Sequence, residues 1–209
     1  MMGFLRASLL WIPILFVWPM VAAGAEPCVK CHVPIAEQLK KPVVHPGDCL
    51  ICHADHKAGA GVAAPYLKST PPGLCLTCHD AGSEKLAEAH QGQPFQTAKC
   101  TNCHDPHASR AAKLIYESQH GPFAGRHCDE CHGDPEEGRI HLHASRVAAL
   151  CLTCHVKIGN QVADSKSAHG MLPCTACHTP HASNYRPHLK QPREALCGTC
   201  HEERGQFSH

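Results

Sequence analysis

The sequence predicts a chain of short helices and loops with little or no strand, folded around a core that its own side chains do not supply. Three observations predict this. All 16 cysteines fall into pairs of one spacing, C-x-x-C. Large apolar side chains are scarce: beyond residue 25 the aromatics are only Phe95, Phe123, Phe207, Tyr66, Tyr116 and Tyr185. Proline, glycine and histidine, at 17, 16 and 20 residues, interrupt any regular apolar pattern. A domain of this length ordinarily buries many large apolar side chains. This one must stay disordered or find its core elsewhere.

The N-terminal stretch MMGFLRASLLWIPILFVWPMVAAGA reads as a secretory signal peptide over residues 1–25. It has one early cation (Arg6), an apolar run, and the small residues Ala23 and Ala25, so cleavage is expected before Glu26. An uncleaved anchor is the rival reading. Pro13 and Pro19 interrupt the run and weigh against it. Cys28 lies two residues too late for a lipid anchor at the new N-terminus.

The segment CTNCHDPHAS, residues 100–109, shows the chemistry. Its C-x-x-C-H is the pattern for covalent attachment of a c-type haem: two thiols bond the porphyrin edge and the histidine binds iron. Seven further pairs match it. The eight are Cys28/Cys31, Cys49/Cys52, Cys75/Cys78, Cys100/Cys103, Cys128/Cys131, Cys151/Cys154, Cys174/Cys177 and Cys197/Cys200. The histidines that follow them are His32, His53, His79, His104, His132, His155, His178 and His201. A single CxxC could be a redox pair or half a zinc site, and an exported chain could use cysteines as disulfides. Eight complete motifs with no thiol left over argue for eight haems c, whose flat apolar macrocycles would form the core. The motifs begin 21, 26, 25, 28, 23, 23 and 23 residues apart, so the polypeptide is mostly wrapping. Short helices are expected at the motifs, with one or two longer ones, for instance around Glu84 to His90.

The chain repeats itself. GLCLTCH (73–79), ALCLTCH (149–155) and ALCGTCH (195–201) are one element; CTNCHDPHAS and CTACHTPHAS (174–183) are another. Quasi-repeats fall around 45–79, 90–107, 120–155 and 169–201, within one domain over 26–209. This alternation resembles the doubled-CxxCH multihaem cytochrome c family, from about residue 45 to 201. Two departures stand out: the Cys128 motif reads CHGDP without a histidine at +3, and the Cys28 motif stands alone. The resemblance implies electron transfer through a chain of haems, not one reaction or one partner.

Twelve histidines remain for the sixth coordination positions. Four lie upstream of motifs: His45, His90, His120 and His169. Three lie at +3: His56, His107 and His181. His143 is expected as the eighth, because HAS recurs at 107–109, 143–145 and 181–183, with His127, His141, His188 and His209 in reserve. Methionine cannot serve widely, since only Met171 follows residue 25. An all-histidine set predicts low potentials. A +3 histidine cannot cross to the far face of its own haem, because three residues reach at most about 10 Å. His107 is therefore expected on a different iron, stapling two haems together.

Removal of residues 1–25 takes away one of 19 Lys+Arg and leaves 18 against 18 Asp+Glu. Haem propionates would make the balance acidic, and no basic excess invites nucleic acid. The expectation is a periplasmic electron carrier of anaerobic respiration rather than an enzyme. A quinol-oxidising membrane cytochrome would be the donor, and a terminal reductase or outer-membrane complex the acceptor. The alternatives are an extracellular filament formed by self-assembly, a porin-associated conduit, and a multihaem reductase of nitrogen or sulfur oxyanions.

Overall fold

The computed structural model describes residues 26–56, 66–164 and 168–201. The signal-peptide reading of 1–25 and the reserve histidine His209 lie outside the described residues. Within them the fold is the expected one: short helices, 3₁₀ turns and four two-residue strands. The longest helix among the described residues is Val156–Asp164, which nothing in the sequence announced. Glu84–Ala89 is helical and ends at His90.

Every motif forms one hydrogen-bonded turn. The N–H of each motif histidine donates to the carbonyl of its first cysteine, four residues back, at 2.9–3.0 Å in all eight cases. That spacing puts positions i, i+3 and i+4 on one face, so both sulfurs and the imidazole project together. The turns then diverge. In the L-C-x-T-C-H motifs, the hydroxyls of Thr77, Thr153 and Thr199 donate to the carbonyls of Leu74, Leu150 and Leu196, each at 2.7 Å. Four of the other five motifs fold back. Lys68, Tyr116, His143 and Lys190 donate their N–H to the second-cysteine carbonyls of Cys52, Cys103, Cys131 and Cys177, at 2.9–3.1 Å.

Two antiparallel ladders join distant parts of the chain. β1 (Val43–Val44) pairs with β2 (Ala108–Ser109), and β3 (Ser118–Gln119) with β4 (Ala182–Ser183). The two ladders are copies. Each continues into a bond between a pair of histidines: His45 N–H to His107 carbonyl and His120 N–H to His181 carbonyl, both 2.9 Å. The repeated His-Ala-Ser explains the local geometry. Ala108 and Ala182 are small enough for the strands to close over them, and both are essentially fully buried. The hydroxyls of Ser109 and Ser183 accept from the N–H of Ala111 and Tyr185 at 3.0 and 2.9 Å, and donate to the carbonyls of Ile115 and Leu189.

Between the ladders, Glu117 bridges Lys41 at 2.9 Å and Arg110 at 2.8 Å. The polypeptide encloses little else of its own. Among the described residues the buried apolar side chains are Phe95, Ala108 and Ala182, whereas Leu50, Ile51, Leu142, Val147 and Leu152 lie on its surface close to motifs. No described helix is long and apolar enough to cross a membrane.

Candidate metal centres

The motif turn presents an imidazole, and a second contact selects which nitrogen it offers. Nδ1 of His104, His132 and His178 lies 2.8, 3.2 and 2.9 Å from the carbonyls of Lys113, His141 and Pro187, in each case nine residues on. A carbonyl only accepts, so Nδ1 carries the proton and Nε2 keeps its lone pair for a metal. His90 is held the same way, with Nδ1 at 2.8 Å from the Leu86 carbonyl.

Seven motif histidines each face a second histidine. The ring-centre separations are 5.7 Å for His32/His56, 6.1 Å for His53/His107 and 6.3 Å for His79/His45. They are 6.2 Å for His104/His90, 5.8 Å for His132/His181, 5.9 Å for His155/His120 and 5.8 Å for His201/His169. Every pair combines one motif histidine with one outside a motif. A metal between two imidazoles needs a bond of about 2 Å on each side and about 1 Å from each nitrogen to its ring centre, so the centres should stand about 6 Å apart. The interplanar angles range from 11° to 81°. Among the described residues no three His, Cys, Asp or Glu side chains gather into a bare metal site. Pairs of imidazoles beside pairs of thiols suit a metal that brings its own equatorial ligands. The donor set fits haem c.

The few aromatic residues back the second histidines. Tyr66 stacks on His56 at 4.8 Å, Phe95 on His90 at 4.8 Å, and Phe123 lies tilted against His181 at 5.7 Å. Burial pushes His104, His107, His120 and His181 below the usual imidazole range, which favours the neutral, metal-binding form.

The cysteines assigned to haem attachment do not sit inside the polypeptide. Cys31, Cys78, Cys154, Cys174 and Cys200 are exposed, and the other eleven are half-buried. The reason is local: a single turn projects its sulfurs off the chain, and too few apolar side chains follow to cover them. In the motifs of Cys78, Cys154 and Cys200 the threonine hydroxyl one residue earlier lies 3.7–3.8 Å from the sulfur. Cys31 ends the helix Glu26–Cys31. An exposed sulfur is one that a macrocycle edge can reach, so exposure is compatible with the attachment role and places the core outside the polypeptide's own packing.

The thiols also report which motifs adjoin. Burial, then the neighbouring Cys100 and Cys52 thiols, push Cys75 up to about 11. Burial, then Cys100 and Cys128, push Cys103 up to about 11. Cys49 is raised by burial and then Cys28, Cys151 by burial and then Cys174 and Cys131, and Cys131 by burial, Glu130 and Cys154. Motifs adjacent in sequence are therefore adjacent in space, in one series from Cys28 to Cys174.

Two histidines depart from the expected arrangement. His143 faces no motif ring; its Nε2 lies 2.7 Å from the Asp129 carbonyl. The His143 N–H bonds the Cys131 carbonyl, the fold-back place taken elsewhere by Tyr116 and Lys190. His178 faces no second ring among the described residues, although its Nδ1 is held like those of His104 and His132. Of the reserves, His127 lies 3.6 Å from Glu130, His141 3.7 Å from Glu136, and His188 sits edge-on to His120 at 5.7 Å. Sequence reading missed the carbonyls at +9, since a backbone acceptor leaves no side-chain signature. It also missed the aromatic backing, whose spacing from the histidines is irregular.

Repeated single-turn motifs with paired thiols and imidazoles define a multihaem c-type cytochrome. A family model described as the doubled CXXCH motif matches residues 40–84, 93–119, 120–160 and 167–206, and the chain belongs to that family. No curated protein matches the sequence.

Proposed function

We propose that the mature chain carries eight haems c and relays electrons in the periplasm at low potential. The observation that carries this reading is the set of seven facing pairs, each made of one motif histidine and one other. On this reading His32, His53, His79, His104, His132, His155 and His201 bind iron from one side. His56, His107, His45, His90, His181, His120 and His169 bind it from the other. The haem iron, when bound, supplies a one-electron couple; two imidazoles without a methionine keep its potential low.

The residues of the chain set spacing and order. In each C-x-x-C-H-x-x-H segment two imidazoles three residues apart belong to different centres, so the segment fixes their separation. His53 and His56 do this for the first two motifs, and His104 and His107 for the second and fourth. The Nδ1 contacts hold ring orientation, and the ladders set His45 beside His107 and His120 beside His181. A donor would be a quinol-oxidising membrane cytochrome, and an acceptor a terminal reductase or outer-membrane complex.

Mass measurement and electron paramagnetic resonance on purified holoprotein test the proposal. Eight haems with at least seven low-spin irons are expected, and redox titration should place most of them below about 0 mV. Fewer haems on mature protein, or mainly high-spin irons, would overturn it.

A second reading has one observation behind it. His178 has no facing ring among the described residues, which suits an exchangeable iron able to take a small oxyanion, as in a multihaem reductase. A high-spin signal in the resting oxidised protein that shifts when a small oxyanion is added would favour it.

A further inference from the structure

Asp105 is the only acidic residue among the buried polar side chains of the described residues, at 2% exposure. It follows His104 directly and lies two residues before His107. All three hydrogen-bonding neighbours are donors: Gln38 Nε2 and Asn184 Nδ2 (2.7 Å) to Oδ2, and the His107 N–H (3.0 Å) to Oδ1. That pattern suits a carboxylate, which only accepts. Oδ1 also lies 3.9 Å from Nδ1 of His107, the ring that faces His53.

The other half of the chain supplies a control. His181 faces His132 at 5.8 Å as His107 faces His53, and the ladders around the two are copies. At the place of Asp105 stands Thr179, whose hydroxyl donates to the Ala182 carbonyl at 2.8 Å. One centre has a buried anion beside its second imidazole, and its twin has a neutral hydroxyl.

We propose that Asp105 is a positioning and tuning residue that lowers the potential of the iron held between His53 and His107 relative to that held between His132 and His181. The inference rests on the ligation reading above. A fixed negative charge in a poorly solvated place stabilises the ferric over the ferrous state. The charge environments of two steps of the haem series are thereby made unequal.

The test is potentiometric titration of the holoprotein, followed optically and by electron paramagnetic resonance. Asp105→Asn should raise one component and leave the number of low-spin irons unchanged. Thr179→Asp gives up the hydroxyl's bonds to the Ala182 and His188 carbonyls but leaves every bond of Asp105 in place; it should lower a different component, and so guards against misfolding of the first variant. In a His107→Ala background the shift from Asp105→Asn should fall on the iron that has become high-spin. If His107→Ala opens that iron but neither charge variant moves any component, the tuning role is overturned while the ligation reading stands. If His107→Ala leaves every iron low-spin, the ligation reading itself fails. Loss of a low-spin iron in Asp105→Asn without any shift in potential would reduce Asp105 to a purely structural link.

Discussion

His107 shows how much one side chain decides. Reach alone excludes the iron bound by its own motif, because three residues cannot carry the chain around a porphyrin. Its ring lies 6.1 Å from that of His53, nearly parallel to it at 11°. His107→Ala is therefore expected to leave every haem attached and turn one iron high-spin, that of the Cys49/Cys52 motif. Resonance spectra of the variant check this; opening of the iron at His104 would contradict it. His143 is the converse case. Its tripeptide matches those of His107 and His181, yet its N–H occupies the fold-back bond to Cys131. His143→Ala should leave the spin states unchanged, measured in the same spectra.

Among the elements, the ladders give two predictions. The Ser183 hydroxyl serves the Tyr185 N–H and the Leu189 carbonyl, and Ser183 is 5% exposed. Ser183→Ala leaves both without that partner. A cost of about 1–3 kcal/mol is expected, read from the denaturation midpoint of the holoprotein. The second concerns Glu117, held below the usual carboxylate range by Lys41 first and then Arg110. A carboxyl depressed in the folded state adds stability above its unfolded value, about 4.3, and loses it as pH falls through the folded one. Because Glu117 and Lys41 are partly exposed and Arg110 mostly so, the contribution is small, about 0.5–1 kcal/mol. Glu117→Gln should remove that amount at pH 7 and nothing well below pH 4, in denaturation curves at the two pH values.

For the molecule as a whole, the polypeptide is too thin to hold itself together. Its buried apolar side chains among the described residues are one phenylalanine and two alanines. Ordering the backbone costs about 1–2 kcal/mol per residue, and burial of that extent cannot offset it. Protein made without haem attachment should be largely unfolded. Circular dichroism checks this; a cooperative thermal transition with native-like signal would contradict it. The same reasoning explains why Leu50, Ile51 and Leu152 stay on the polypeptide surface near motifs, and why thiols such as Cys31, Cys78 and Cys200 lie exposed there. Haem faces and edges are the partners available to them.

Local structure was legible in the chain alone. Each C-x-x-C-H closes a single turn through a bond from residue i+4 to residue i, so spacing brings thiols and imidazole to one face. Short helices followed from the absence of apolar periodicity, and the doubled-motif family from the repeats. Beyond a few residues the sequence supplied candidates without partners. His45 faces His79 rather than the nearer His53, and His181 reaches back to His132. Those pairings depend on ladders joining residues more than 60 positions apart, which two-residue strands do not announce. They were settled only in three dimensions, because partner choice depends on where the fold-back turns aim each ring, and backbone carbonyls set that aim with no side-chain signature to read.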